Sequence, residues 1–256
     1  PWSARSVRSA LAQLFLPAEC LLCHALLPYL QSDRIVCPGC RHRWRPVVPP
    51  WCERCGQPEP HFGPCRLCHA WVPAFERVRS AVWLDVPART AVHALKYGGL
   101  PRVAGDLAAV MTRHLPAPPK GAALVPIPLA PKRLARRGYN QSEVLARALG
   151  TAWQVPVLSG LLARVRETAT QTTLTPASRL ANVAGAFELR IDDWGLRIGQ
   201  RTGQSAIRNP QSPIVLVDDV FTTGATLAAA AQALATGGAT HIAAVTFGRA
   251  VIPDFT

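Results

Sequence analysis

Every one of the eight cysteines in this 256-residue chain falls into a C-x-x-C pair. The pairs are Cys20/Cys23, Cys37/Cys40, Cys52/Cys55 and Cys65/Cys68, separated by 13, 11 and 9 residues. A C-x-x-C turn lets two thiolates converge on one ion, and two such turns supply the four sulfurs of a tetrahedral zinc site. Two structural Zn²⁺ ions therefore account for every sulfur. Disulfide or redox chemistry is the competing reading of so many cysteines in one short segment. Against it stand the strict vicinal pairing, which suits cross-links between distant strands poorly, and the character of the first residues. There the apolar run is short and broken by Gln13 and Pro17, so a short amphipathic helix leading into Cys20 is expected rather than a secretory signal. Sequential pairing gives one ribbon from the first two turns and another from the last two, and spacing does not exclude interleaved pairing. His24 and His69 directly follow a C-x-x-C and are expected to flank the turns in solvent. A closed four-sulfur shell has no open coordination position, so its expected task is to fold a module with little core of its own. That module is expected to span residues 1–75, ending at W-V-P-A-F-E.

Beyond it the pattern changes to apolar strands alternating with helices, which indicates a mostly parallel sheet covered on both faces. A strand is predicted at R-V-R-S-A-V-W-L, and a helix at V-P-A-R-T-A-V-H-A-L-K-Y that stops at Gly98-Gly99. A second helix follows over roughly 102–115. Next come a buried strand at A-A-L-V-P-I-P and a helix whose N-cap is Asn140, with Glu143 three residues on. Strand, loop and helix recur from Val215 to Leu234, and H-I-A-A-V-T-F gives a last strand. Residues 76–256 thus form one α/β domain, interrupted by a polar, glycine-rich excursion over 190–212. No apolar run reaches the roughly 18–20 residues needed to span a bilayer.

Residues 215–226, V-L-V-D-D-V-F-T-T-G-A-T, put two adjacent carboxylates at the end of an apolar strand. The chain has 28 Lys and Arg against 15 Asp and Glu, a formal charge of +13, so neighbouring acids are a scarce resource here. Ligands of parallel sheets bind beyond the carboxyl ends of strands. The loop after Asp218 and Asp219 offers backbone N–H groups, three threonine hydroxyls and a helix start, which together cradle a phosphate. Gly224 permits the tight turn. Two carboxylates beside such a cradle accept hydrogen bonds from a sugar diol or hold a divalent cation through water. Neither the P-loop nor the dinucleotide fingerprint is present. A simple N-cap by one Asp would not explain both acids, three threonines and a glycine together.

This stretch resembles the PRPP-binding motif of type I phosphoribosyltransferases. The resemblance implies that Asp218 and Asp219 hold the ribose hydroxyls of phosphoribosyl pyrophosphate (PRPP). It gives the 5-phosphate to Thr222, Thr223, Gly224, Ala225 and Thr226, with Mg²⁺ accompanying the substrate. Two further stretches, Val125–Ala146 and Arg166–Phe187, are similar to the ComF family of competence-associated, GntX-like proteins, in which a cysteine-rich zinc module precedes a phosphoribosyltransferase-like domain. The implied fold is therefore the type I phosphoribosyltransferase fold, an α/β parallel sheet flanked by helices, preceded by a double zinc ribbon. Two departures stand out: Ala130 occupies a position where relatives often carry histidine, and the 190–212 excursion looks longer than usual.

Lys132, Arg133, Arg136 and Arg137 crowd a loop after the second strand, and forked Arg donors suit the oxygens of a leaving pyrophosphate. Lys132, Arg133 and Arg137 are the candidates for that contact; a solvated basic helix start and DNA contact are the alternatives. Residues 166–183 are poor in apolar side chains and read as a lid, with Thr168, Gln171, Arg179 and Asn182 as contacts, or as a plain surface loop. Lys96 and Tyr97 match a Lys-Tyr element of the family and either shape a hood over an acceptor or pack. Two functions compete. One transfers a phosphoribosyl group from PRPP to an unknown acceptor, releasing pyrophosphate. The other is a non-catalytic competence factor that binds single-stranded DNA, uses PRPP only as a ligand and meets a helicase-like partner at the cytoplasmic face, as the resemblance implies. The basic balance and Trp44, Trp51 and Trp71 would serve the second if the tryptophans are exposed for base stacking, and they are module core otherwise.

Overall fold

The computed structural model describes residues 18–28, 34–58, 64–166, 185–190 and 212–250. Its elements are α1 (Pro38–Arg43), β1 (Phe75–Trp83), α2 (Val86–Tyr97), α3 (Val103–His114), β2 (Ala123–Pro126), α4 (Pro131–Arg137), α5 (Gln141–Trp153), β3 (Leu162–Arg164), β4 (Phe187–Leu189), β5 (Ile214–Phe221), α6 (Ala225–Thr236) and β6 (Ile242–Arg249). The strands β1-β6-β5-β2 form one sheet in that order, parallel at every pairing. All of β2 is buried, as is β5 from Ile214 to Val217, which is why these strands read as unbroken apolar runs.

Alternation along β5 divides the core. Val215 and Val217 face α2, α3 and α5 through Leu95, Leu107, Met111, Leu145 and Leu149. Ile214 and Leu216 face Leu227, Ala230, Ala231 and Leu234 of α6. The expected fold class, a parallel α/β sheet flanked by helices behind a cysteine-rich module, is the one observed. Helix α2 has the expected limits, and its N-cap is Asp85, whose side chain accepts from Ala88 N at 3.1 Å. The basic stretch after β2 is a short helix rather than a loop. Pro131 begins it and Gly138, at φ 79°, ends it in the left-handed conformation that glycine tolerates. The antiparallel pair β3–β4 was not anticipated, since three-residue strands carry little periodicity.

The cysteine-rich segment straddles the sheet's edge strand. Trp83 N donates to Arg45 O at 2.8 Å and Val47 N to Ala81 O at 3.1 Å, so residues 45–47 pair antiparallel with β1 and cover its open edge. Cys20, Cys40 and Trp44 then join the core on the α2/α3/α5 face. Cys52, Cys55, Cys65, Cys68 and Trp71 join it on the α6 face. Fully buried Asp106 of α3 fastens the first half, accepting from Ile35 N at 2.9 Å and Val36 N at 3.0 Å and lying 3.2 Å from Arg41. In the second half, Arg54 donates to the carbonyls of Cys68, Trp71, Val72 and Phe75.

The expected N-terminal amphipathic helix, the lid beyond Arg166 and the excursion between Arg190 and Ser212 lie outside the described residues. Among the described residues, no helix is long and apolar enough to cross a membrane.

Candidate functional site

Where β5 leaves the core, Asp218 and Asp219 emerge at the floor of a half-open cavity of about 250 Å³. Each acid is held by a different neighbour. Ser142 Oγ donates to Asp218 Oδ1 at 2.8 Å, and the Asp219 amide donates to the same oxygen at 2.9 Å. Ser142 is fixed in turn because Asn140 caps α5 by accepting from Ser142 N at 3.1 Å and donates to Ile127 O at 3.0 Å. The last turn of α2 brings Lys96 Nζ to 2.7 Å from Asp219 Oδ2.

Burial, reinforced by the Asp219 charge and opposed by Lys96, pushes the Asp218 carboxyl up to about 7. Burial by itself would lower Lys96, but the attraction of Asp219, and then of Asp218, holds the ammonium above its ordinary value. Lys96 thus compensates the adjacent carboxylates, and Asp218 is poised near neutrality, able to donate or accept.

The loop after β5 turns at Gly224, whose φ of 76° is left-handed and which begins α6 with no side-chain cap and no acidic residue in the first turn. The positive end of a 12-residue helix is thereby left open to an anion. Of the residues expected to bind PRPP, Asp218, Asp219, Thr222, Gly224, Ala225 and Thr226 line the cavity. Thr223 does not. It is buried, and its Oγ1 has no hydrogen-bond partner among the described residues.

The basic candidates separate. Arg133 lines the cavity and Lys132 does not. Arg137 lies over the Tyr97 ring at 5.2 Å and hydrogen-bonds Gln141 Oε1, so it frames the rim. Tyr97 itself is 62% exposed at the mouth. Ala130 is buried and occupies the N-cap of α4 without a side-chain bond. Thr168, Gln171, Arg179 and Asn182 are outside the described residues.

Two contributors escaped the sequence reading. Arg164, at the end of β3, lines the cavity and lies over the Phe187 ring at 5.3 Å. Burial, and then Arg133, lower its pKa while Asp218 raises it; Arg133, Arg164 and Asp218 line the same cavity. It stands two residues before Arg166, where the recognisable stretch begins. Ser142 looked like the unremarkable second residue of a capped helix, and only the fold places it against Asp218.

The cysteines form two clusters, Cys20/Cys23/Cys37/Cys40 and Cys52/Cys55/Cys65/Cys68, each with all sulfurs within 4.8 Å of one another. Pairing is therefore sequential. Separations of 3.8 Å for Cys23–Cys37, 3.7 Å for Cys52–Cys68 and 3.5 Å for Cys55–Cys65 far exceed a disulfide bond of about 2.05 Å. They approach the edge of about 3.8 Å of a tetrahedron with Zn–S of about 2.3 Å. Backbone amides reinforce the thiolates: Cys37 N donates to Cys20 Sγ and Cys40 N to Cys37 Sγ, both at 3.3 Å. Although burial alone would raise it, the Cys20 thiol is brought down to about 6 by amides of Cys37 and Leu22. Burial and the neighbouring thiolates push Cys55 up to about 12, and a bound cation would offset that repulsion and favour the thiolate. The residues present fit two structural zinc ions. His24 and His69 belong to neither cluster; the first pairs with Glu19 at 3.9 Å and the second with Cys65 O at 3.3 Å.

Trp44 and Trp71 are buried, and Trp51 is partly covered by Arg79 at 5.4 Å. For Trp44 and Trp71 the module-core reading holds and the stacking reading does not, because a small module recruits its large aromatics to build a core.

Fold and clusters together define a class: a double zinc ribbon clasped across a parallel α/β domain. A family model described as a double zinc ribbon domain matches residues 11–69. Across 243 residues, 90% of this chain and 96% of the relative, the sequence is 33% identical to the DNA utilization protein YhgH of Salmonella typhi. Competence protein F of Haemophilus influenzae is 26% identical over 83% of this chain and 89% of its own. Competence protein ComFC of Bacillus subtilis is 26% identical over 84% and 88%. The chain belongs to the ComF family.

Proposed function

We propose that this chain binds PRPP together with Mg²⁺ in the cavity above β5, and that it serves DNA utilization in the cytoplasm, where cysteine thiolates stay reduced. The single observation that carries the reading is the pair Asp218 and Asp219, locked by Ser142 and Lys96 beside a helix start left open to an anion. Asp218 and Asp219 take the ribose diol, and Thr222 to Thr226 take the 5-phosphate through backbone donors and hydroxyls. Arg133 and Arg164, with Arg137 at the rim, take the pyrophosphate, and Lys132 adds positive charge on the same short helix. Oxygen ligands are what Mg²⁺ prefers, and it would neutralise charge on the pyrophosphate with the two carboxylates nearby. The double zinc ribbon of residues 1–75 holds its two ions structurally, and residues 76–256 carry the pocket.

Such a site supports displacement at the anomeric carbon. The bond from carbon to the pyrophosphate oxygen breaks with its electron pair leaving on pyrophosphate, an acceptor nitrogen forms the new bond, and that nitrogen sheds its proton to solvent or to Asp218. Charge stabilisation by Arg133 and Arg164 would supply most of the acceleration. A lid containing Thr168, Gln171, Arg179 and Asn182 would exclude water.

The names of the relatives, DNA utilization and competence proteins, favour a second reading in which PRPP is only a ligand. Single-stranded DNA, delivered by a helicase-like partner, would then lie along the basic residues of α4, none of which is buried. A PRPP-dependent pyrophosphate-release screen across nucleobases and nucleotides separates the two. Release with one acceptor, lost in Arg164→Ala, supports transfer; tight PRPP binding without release from any acceptor supports the ligand reading.

A further inference from the structure

The phosphate loop does not rest on its own domain alone. A Cβ added at Gly224 would lie 2.8 and 2.9 Å from the Phe221 ring and 2.9 Å from Trp71 Cζ2. Trp71 comes from the cysteine-rich segment. It stacks on Phe75 with ring centroids 4.5 Å apart and meets Phe221 edge-on at 6.4 Å. Its backbone belongs to the second cluster, because Trp71 N donates to Cys68 O at 3.1 Å and Arg54 Nη2 donates to Trp71 O at 3.0 Å.

A second strut arrives from β6. The Arg249 guanidinium, on a residue 2% exposed, lies 4.5 Å over the Phe221 ring. It donates to Cys55 O at 2.8 Å and to Gln57 Oε1 at 2.9 Å. Both supports of the Phe221–Gly224 turn are therefore tied to the backbone around Cys52/Cys55/Cys65/Cys68, Trp71 through Cys68 O and Arg249 through Cys55 O. The first cluster packs on the other face, where Trp44 meets Phe247 at 5.0 Å.

We infer that Trp71 and Arg249 are positioning residues for the phosphate loop, through which the second cysteine cluster, and not the first, sets the geometry that receives the 5-phosphate. The inference rests on the PRPP reading for its ligand but not for its mechanics. Close packing transmits displacement with little give, and misplacing a binding loop by about 1 Å costs on the order of 100-fold in what depends on its geometry.

The test compares Trp71→Leu, Trp71→Phe and Arg249→Met with Trp44→Leu, which removes a buried tryptophan that packs on the same face as the first cluster. Zinc content is measured in each variant, so that metal loss is not mistaken for loop displacement. Two readouts are taken: PRPP affinity with Mg²⁺ by calorimetry, and amide hydrogen exchange of residues 221–227 without ligand. Trp71→Leu and Arg249→Met should lower affinity roughly tenfold or more and accelerate loop exchange by a similar factor. Trp71→Phe should recover most of both. Trp44→Leu should leave both within about twofold even as it destabilises the fold. Equal effects of Trp71→Leu and Trp44→Leu on loop exchange, or none from either, would overturn the inference. If the wild type fails to bind PRPP, the ligand reading falls, and loop exchange still decides the mechanical claim.

Discussion

Lys96 Nζ lies 2.7 Å from Asp219 Oδ2, with the Asp219 side chain 3% exposed and that of Lys96 24%. Removing one partner of a pair this buried leaves a charge without compensation. Lys96→Met should cost about 3 kcal/mol in urea unfolding. The pair Arg147–Glu143 is just as short, at 2.6 Å, but lies on the surface of α5. Breaking it with Arg147→Ala should cost about 0.5 kcal/mol or less. Equal losses at the two sites would contradict the assignment of Lys96 as the counter-charge.

Gly224 has a left-handed φ, and the ring atoms of Trp71 and Phe221 occupy the space a Cβ would need. Gly224→Ala therefore combines backbone strain of about 1 kcal/mol with a steric conflict. It should abolish measurable PRPP binding while leaving the far-ultraviolet circular dichroism unchanged.

Chelation should release two zinc ions per chain, and Cys→Ser at any of the eight cysteines should reduce the content to about one. Because residues 45–47 cover the edge of β1, the stripped protein should expose a sheet edge and aggregate. Finding the cysteines oxidised, with a mass two units lower per pair, would contradict the zinc assignment.

Asp106 binds two backbone amides and lies beside Arg41, fully buried. Asp106→Ala leaves those donors without an acceptor and should cost about 3 kcal/mol. As Asp106 serves the first cluster, PRPP affinity at a temperature where the variant remains folded should stay within about twofold of wild type.

The parallel sheet was legible because β2, β5 and β6 are covered on both faces and so show as unbroken apolar runs. Asp218 and Asp219 were legible because charge at the end of such a run has no structural reason to be there. Arg164 and Arg249 were not. Each sits in a strand with its guanidinium over an aromatic ring, Arg164 half-buried on Phe187 and Arg249 buried on Phe221, and basic residues in a chain of this charge do not announce such packing. The sequential pairing of the C-x-x-C turns and the seating of one cluster on each face depend on long-range packing, which spacing does not encode. Lys132, Arg133 and Arg137 were grouped by proximity in sequence. Helix geometry then divided them, since residues 132, 133 and 137 do not all share one face.

Calorimetric titration of PRPP with Mg²⁺ into the wild type and into Asp218→Asn/Asp219→Asn tests the central claim most directly. The substitutions keep shape but remove the negative charge and turn one acceptor oxygen of each side chain into an amide donor. Saturable one-to-one binding by the wild type, weakened at least about a hundredfold in the double variant, is the predicted result. Indistinguishable titrations, or no heat from either protein, would contradict it.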